Sequence, residues 1–402
     1  MLAGAAGMAR QGVEKTMIAG DPLLLPNILV VLCVLYLVTT GAINMRKLHN
    51  LREYRNLKAA PRISVLVPAR NEEDTIGPCV SSLLAQDYPD FQVIVINDNS
   101  TDGTAAILSK LEQGDSRLKI ISGQPLPPDW LGKHWACHQL YRAADGELLM
   151  FTDADTVHAP DTLRCATAAL LEEKADMLSI LPRHILCSLA EKLLMPAFAL
   201  GAFANVPLPP RLRPGNTKLA SSSGKLMLFR RTSYEAAGGF QSIRQSVLDD
   251  LQLAEKVSAS GMRYRVFDGT DNVTCRMYHN WTEVHRGLTK NVFPSYGYNV
   301  PLFIFTWLWI NFVFWEPIIV LGVHKIPEYP PALSVGLAAI CVAACLVLFG
   351  SYYHRFKFPL YMVLLYPVSI SLMTAIAFSS MFLTISGQAT WKDRKMPNRK
   401  IP

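Results

Sequence analysis

The sequence predicts an α/β protein, a mostly parallel sheet with helices on both faces, carrying transmembrane helices at its N-terminus and C-terminus. Three observations predict this. Half of the 402 residues are apolar and the mean hydropathy is +0.20, which is too apolar for an ordinary soluble enzyme. Runs long enough to cross a bilayer flank a polar middle region. That middle region alternates short β-rich runs with helical stretches over residues 62–268, the pattern of strand–helix–strand units.

The first apolar run, 23–44, suits a spanning helix. Behind it Arg46, Lys47, Arg52, Arg55, Lys58 and Arg62 crowd together, the flanking charge expected on a cytoplasmic face beside anionic lipid. The formal charge of +7 is therefore not spread as a nucleic-acid-binding face would be, and no nucleic-acid partner is expected. No small-residue cleavage site separates the apolar run from the basic cluster, so an uncleaved anchor is expected rather than a signal peptide. Eight scattered cysteines without a C-x-x-C or paired Cys/His spacing suggest neither a disulfide framework nor a zinc site. Sequons at Asn99, Asn272 and Asn280 fall in the region placed in the cytoplasm and read as chance matches.

The expected divisions are a short segment 1–22, a membrane helix 23–45, a basic linker 46–61, a cytoplasmic α/β domain 62–278, an amphipathic interface helix 279–299, membrane segments 300–386 and a basic tail 387–402. Within the α/β domain, strands are expected at 63–67, 92–96, 118–121, 148–152 and 177–181, with helices at 74–86, 102–113, 135–144 and 161–173. Ligands on such sheets bind beyond the carboxyl ends of the strands, so the chemistry should follow each strand.

The first strand ends in Pro68-Ala69-Arg70-Asn71-Glu72-Glu73. The second ends in Asn97-Asp98-Asn99-Ser100-Thr101-Asp102-Gly103-Thr104, where Asp98 can accept from a base N–H and the cap residues expose backbone donors. The same run also makes a sound turn with no ligand. The buried run 148–152 ends in Asp153 and Asp155. Alternate residues of a strand share a face, so these carboxylates can converge, and such a pair invites Mg²⁺ or Mn²⁺ carried with a diphosphate. Taken alone, it describes an acidic strand-to-loop corner as well. Residues 125–138 form a proline-rich loop carrying Trp130, Gly132 and Lys133. A lysine beside a glycine can approach a phosphate as a point charge, or can simply be solvated.

Ser221-Ser222-Ser223-Gly224-Lys225 reads as a small-residue loop entering another strand, and the next helix ends at Gly238-Gly239-Phe240. The helix over 247–255 holds Asp249 and Asp250 in its first turn. These acids complement the helix dipole, or one of them is a general base beside a cation. Residues 279–292 are apolar on one side through Trp281, Val284, Leu288 and Val292 and carry Arg286 and Lys290 on another, as in a helix lying at a membrane interface. The run 186–206 shares this character, and an amphipathic core helix fits both.

Runs 300–323, 332–353 and 359–385 are of spanning length, with interruptions at Glu316-Pro317 and Pro367. Three full crossings after a cytoplasmic domain cannot leave both the basic loop 354–357 and the basic tail (Lys392, Arg394, Lys395, Arg399, Lys400) in the cytoplasm. One segment is expected to be re-entrant, and the first, broken at Glu316-Pro317, is the candidate.

Taken together, P-A-R-N-E-E, N-D-N-S-T-D-G-T, W-L-G-K-H-W-A, G-E-L-L-M-F-T-D-A-D-T and L-D-D-L-Q-L-A, in this order over about residues 60–295, resemble the family-2 glycosyltransferases with the GT-A fold. Within that family the chain looks most like membrane glycosyltransferases acting on carotenoid, hopanoid or related lipids. The resemblance implies that Pro68, Ala69, Asn71 and Glu72, with Asp98, hold the nucleotide of a sugar donor such as a UDP-sugar. It further implies that Lys133 and Asp153 lie near the donor, that Asp153 and Asp155 bind Mg²⁺ or Mn²⁺, and that Asp250 is the catalytic base with Asp249 beside it. The activity implied is inverting, metal-dependent transfer of a single sugar to a hydroxyl of a membrane lipid acceptor. The implied location is the bacterial plasma membrane, with the catalytic domain in the cytoplasm.

Two departures carry information. Where the family commonly reads D-D-x-S, this chain has Asn97-Asp98-Asn99-Ser100. After Trp281 it offers Glu283-Val284-His285-Arg286-Gly287 instead of the Q-x-x-R-W motif of processive polysaccharide synthases, which argues against polymer synthesis. A processive synthase, a ceramide- or sterol-type glucosyltransferase and a degenerate membrane scaffold are the alternative readings. His134, His138 and His279 fit structural and functional roles equally.

Overall fold

The computed structural model describes residues 24–215, 222–324, 332–388, 390–391 and 394–395. Segment 1–22, Ser221 and the tail residues Lys392, Arg399 and Lys400 named above lie outside the described residues.

Eight strands form one sheet in the order β3-β2-β1-β4-β7-β6-β8-β5. They are β1 Ile63–Ala69, β2 Phe91–Asn97, β3 Leu118–Ser122, β4 Leu148–Phe151, β5 Thr156–His158, β6 Met177–His184, β7 Met227–Arg230 and β8 Tyr264–Cys275. Strand β1 lies parallel between β2 and β4, β3 is parallel to β2, and β8 is parallel to β6. Strand β7 alone runs backwards between β4 and β6, and β5 is antiparallel to β8. The carboxyl ends of β1, β2, β4 and β6 therefore share one edge. Strand β7 enters from that same edge, so the residues leading into it meet the residues leaving β4.

Alternation along the parallel strands explains why helices cover both faces. Val65 and Val67 of β1 and Val93 and Val95 of β2 point into one apolar cluster. Leu66, Ile94, Ile96, Leu149 and Phe151 point into the other. Each such fully buried side chain contributes about 1.5–3 kcal/mol by leaving water, which makes the register hard to slip.

All five expected strands are present. Strands β5 and β8 were not among those expected, and β8 carries the polar run Asp268-Gly269-Thr270-Asp271-Asn272. Asp268 is buried within the strand, and its carboxylate accepts from the Thr270 amide (3.0 Å), the Thr270 hydroxyl (2.7 Å) and Arg355 Nε (2.6 Å). Tertiary partners override a turn-like composition here. The helix Gly132–Ala143 begins before the expected 135, which moves Lys133 from the loop into a first helical turn.

Four helices are long and apolar enough to cross a membrane: Leu24–Lys47, Val300–Val323, Ala332–Arg355 and Leu360–Ile385. The break expected at Glu316-Pro317 is absent, since Val300–Val323 runs continuously with Pro317 inside it. The chain turns back in the last segment instead. Arg355 donates to the Leu48 carbonyl (2.9 Å) as well as to Asp268 of the sheet. Tyr366 packs on Phe349 and Phe314, with ring centroids at 5.1 and 5.8 Å. Further along, the Ser379 hydroxyl lies 3.0 Å from His285 Nε2, and Ser380 Oγ accepts from the Phe293 amide (3.0 Å). Both ends of this segment thus lie against the sheet-bearing part of the molecule.

The helix Trp281–Val292, expected at a membrane interface, is capped by Asn280, whose side chain accepts from the Glu283 amide. It buries Val284, Leu288 and Val292. A second helix, Leu189–Ala204, is opened by a Ser188–Glu191 capping box and held to the first membrane helix by Asn44, which donates to the Phe203 and Val206 carbonyls (2.5 and 3.0 Å). The sheet is therefore fixed to the membrane helices by polar bonds at several points.

Candidate active site

The loops after β1 and β2 close on each other. Asn71 adopts φ 52°, donates its amide to Ser100 Oγ (3.0 Å), and accepts from the Thr101 amide (2.9 Å) through its side chain. The Glu72 amide donates to Thr104 Oγ1 (2.8 Å), and the Glu73 carboxylate accepts from the Gly103 amide (2.7 Å). Pro68 and Ala69 end β1, and the Ala69 carbonyl accepts from the Asp98 amide (2.8 Å), so buried Asp98 sits directly beside them. The five residues expected to meet a nucleotide form one continuous wall at the strand ends.

Beside that wall, after β4, lies a cluster of charges. Half-exposed Lys133, in the first turn of its helix, places Nζ 2.8 Å from Asp153 Oδ1 and 2.9 Å from Asp249 Oδ2. Lys225, which precedes β7, places its ammonium 3.0 Å from Asp153 Oδ2, and 2.8 and 2.7 Å from Asp155 Oδ1 and Oδ2. Asp250 accepts from the Gly224 amide (3.1 Å) and from the Leu251 amide (2.8 Å). A side chain on Gly224 would lie 3.5 Å from Lys133 Nζ and 3.7 Å from Asp153 Oδ2, so its bareness keeps this mouth open. Asp153, Asp155, Asp249 and Asp250 are thus gathered at one edge, as expected.

The electrostatics differ from acid to acid. Loss of water raises the Asp153 carboxyl, and the Lys133 and Lys225 ammoniums overcome this and hold it well below the usual carboxylate range. At Asp249, Lys133 likewise outweighs desolvation and keeps the group low. Asp250 goes the other way: desolvation, then repulsion from Asp249, pushes it up to about 6. Lys290, from the helix Trp281–Val292, is pulled down to about 8 by desolvation and then by the Lys133 charge. His134 is buried edge-on to Phe240 at 5.5 Å, and desolvation lowers it to about 4, so it is a neutral core histidine.

Two carboxylates of this spacing suit Mg²⁺ or Mn²⁺ by donor chemistry. All four of their oxygens are, however, turned onto lysine ammoniums, and among the described residues no group of three or more His, Cys, Asp or Glu is gathered for a metal. A divalent ion on this pair has to displace Lys225, so the arrangement as it stands does not fit one.

Sequence reasoning passed over Lys225 and placed Lys290 on the polar side of its helix. The available signal was the Gly224-Lys225 dipeptide, the same pattern that singled out Gly132-Lys133.

The model for glycosyl transferase family 2 matches residues 64–238. The 4,4'-diaponeurosporenoate glycosyltransferase of Staphylococcus aureus strain USA300 is 27% identical over 271 residues, covering 65% of this chain and 68% of the relative. Its counterpart in strain MRSA252 is 26% identical over 272 residues, with the same coverage. Among solved structures, the Pyrobaculum calidifontis mannosyltransferase PcManGT in complex with GDP-Man and Mn²⁺ aligns with a TM-score of 0.49 at 18% identity, over 86% of this chain and 98% of that one. The S. aureus TarS 1–349 complex with UDP-GlcNAc aligns with a TM-score of 0.39 at 18% identity, over 79% and 91%. The acids at the sheet edge and the model matched over residues 64–238 agree: the chain is a glycosyltransferase that resembles the family-2 enzymes and, among them, the carotenoid-modifying group.

Proposed function

We propose that the chain transfers one sugar, with inversion, from a nucleotide-sugar donor such as a UDP-sugar to a hydroxyl of a membrane lipid of the carotenoid or hopanoid kind. The observation that carries this reading is Asp250: a carboxylate pushed up to about 6, tied to the Gly224 amide at the mouth of the charged cluster. A base with that affinity for protons is largely ionised at neutral pH and still strong enough to take a proton from an attacking hydroxyl.

In a single displacement the acceptor oxygen forms a bond to the anomeric carbon as the bond from that carbon to the diphosphate oxygen breaks. The leaving diphosphate keeps the electron pair, and Asp250 takes the proton. Half-exposed Lys133 is read as the ammonium that meets charge on the departing diphosphate. Asp249 holds Lys133 in place. The wall from Pro68 to Glu72 with Asp98 is read as the nucleotide side of the pocket.

A lipid acceptor is supported by the helix Trp281–Val292, whose Lys290 feels the charges of Lys133, Asp249 and Asp153 and which is bonded to the last apolar helix through His285, Thr289 and Phe293. The hydroxyl would come from the bilayer and the donor from the cytoplasm. Three crossings and a final segment that returns to its starting side put the loop 354–357 and the tail both in the cytoplasm, which satisfies the basic residues of each. The test is sugar transfer in membranes containing the chain. Asp250→Asn is expected to abolish it while the protein stays folded, and full turnover in that variant removes the proposed base.

A further inference from the structure

We infer that Lys225 is this chain's built-in replacement for a divalent cation: its ammonium neutralises Asp153 and Asp155, and Lys133 is left to receive the donor's diphosphate. This rests on reading the cluster as a nucleotide-sugar site and goes further, assigning to a side chain the positive charge that the sequence pattern gives to a metal.

The placement comes from the backbone. Strands β4 and β7 pair antiparallel with Phe151 opposite Met227. Two residues further along that register, Asp153 stands opposite Lys225, and Thr152 Oγ1 donates to the Lys225 carbonyl (2.7 Å) to prolong the pairing. Lys225 is therefore the cross-strand neighbour of the first acid of the pair and does not reach the site by a chance rotamer. Its ammonium has three protons, and three carboxylate oxygens lie within 3.0 Å of it.

Lys225 also has no better place to go. The residue is 6% exposed, and besides the acids, Cys275, Tyr278, His184 and Lys290 feel its charge. Desolvation lowers His184 to about 4 and raises Cys275 and Tyr278 to about 12, so all three are neutral around pH 7. A dication on the two aspartates would take away the lysine's counter-charges and set two positive charges beside a buried third. The ammonium and the metal exclude each other. A diphosphate, by contrast, need not displace Lys225: half-exposed Lys133, which borders bare Gly224, is the ammonium open to it.

The experiment is a Mn²⁺ titration of the full chain in lipid nanodiscs, read by the electron paramagnetic resonance signal of free Mn²⁺, with and without UDP. Wild type is compared with Lys225→Met and with Lys225→Gln, which keeps a hydrogen-bond donor toward the carboxylates. Wild type is expected to take up no ion at this site, and each variant that folds is expected to bind Mn²⁺ at least about tenfold more tightly. One Mn²⁺ per wild-type chain, bound as tightly as in the variants, overturns the inference. So does an absence of binding in all three proteins, because Lys225 is then not what keeps the metal out. If neither variant folds, the wild-type titration alone decides by the presence or absence of one bound ion. The readout is metal occupancy and not transfer, so this result stands apart from the identity of the acceptor.

Discussion

Asp249 and Asp250 are consecutive in one helical turn and are held in opposite directions: the Lys133 ammonium keeps the first low, and desolvation together with the first raises the second to about 6. One residue of sequence separates a structural anion from a group that can trade a proton near neutrality. Transfer should therefore rise with pH through a limb near 6, because the base works only after losing its proton. Asp249→Asn removes the repelling charge, and the limb should move to lower pH. Initial rates between about pH 5 and 8 check both, and a limb unmoved by that substitution would detach Asp249 from the base.

Lys133 bridges two acids but remains half-exposed, so its contribution to folding is modest and its value should lie in the donor. Lys133→Met is expected to weaken UDP binding by about tenfold, near 1.4 kcal/mol, with little change in thermal stability. Calorimetry with UDP and a thermal melt separate the two effects.

Gly287 of the interface helix lies flat against Tyr278, and a Cβ there would overlap the Tyr278 ring. Gly287→Ala should cost about 1–3 kcal/mol by forcing that ring out of its packed place. Tyr278 also adjoins Lys225, so transfer should fall as well as stability. Unfolding in mild detergent and activity in the same sample test the coupling.

Arg355, just before the last apolar segment, and Ser380, near its end, both bond to the sheet-bearing part of the molecule, and the proposed topology has this segment leave and return on one side. A reporter fused after residue 402 should accordingly be shielded in intact cells together with a tag in the loop 124–128. Labelling of the C-terminal reporter from outside the cell would require a third full crossing after the catalytic domain.

Much of this was legible in the sequence because local signals agreed with the fold. The strands β1, β2 and β4 are apolar on alternate and opposite faces, and Asp98, Asp153 and Asp155 follow strand ends, so periodicity and position singled out those three, whereas the family resemblance set Asp250 apart from Asp249. Strand β8 was illegible because its polar run is stabilised by Arg355, which is distant in sequence. The break assigned to Pro317 failed for a related reason: neighbouring helices hold a continuous helix through a proline that would interrupt an isolated one. Lys225 was missed because its role comes from antiparallel register between β4 and β7, and pairing partners are not written in either strand alone.

The central claim is that Asp250 drives addition of a single sugar to a membrane lipid. Mass spectrometry of lipid extracts from cells with the chain, without it and with Asp250→Asn tests this directly. A single hexose or N-acetylhexosamine increment on one lipid class, present with the wild type and absent from the other two, is the predicted result. A ladder of increments, or an increment that survives in Asp250→Asn, would contradict it.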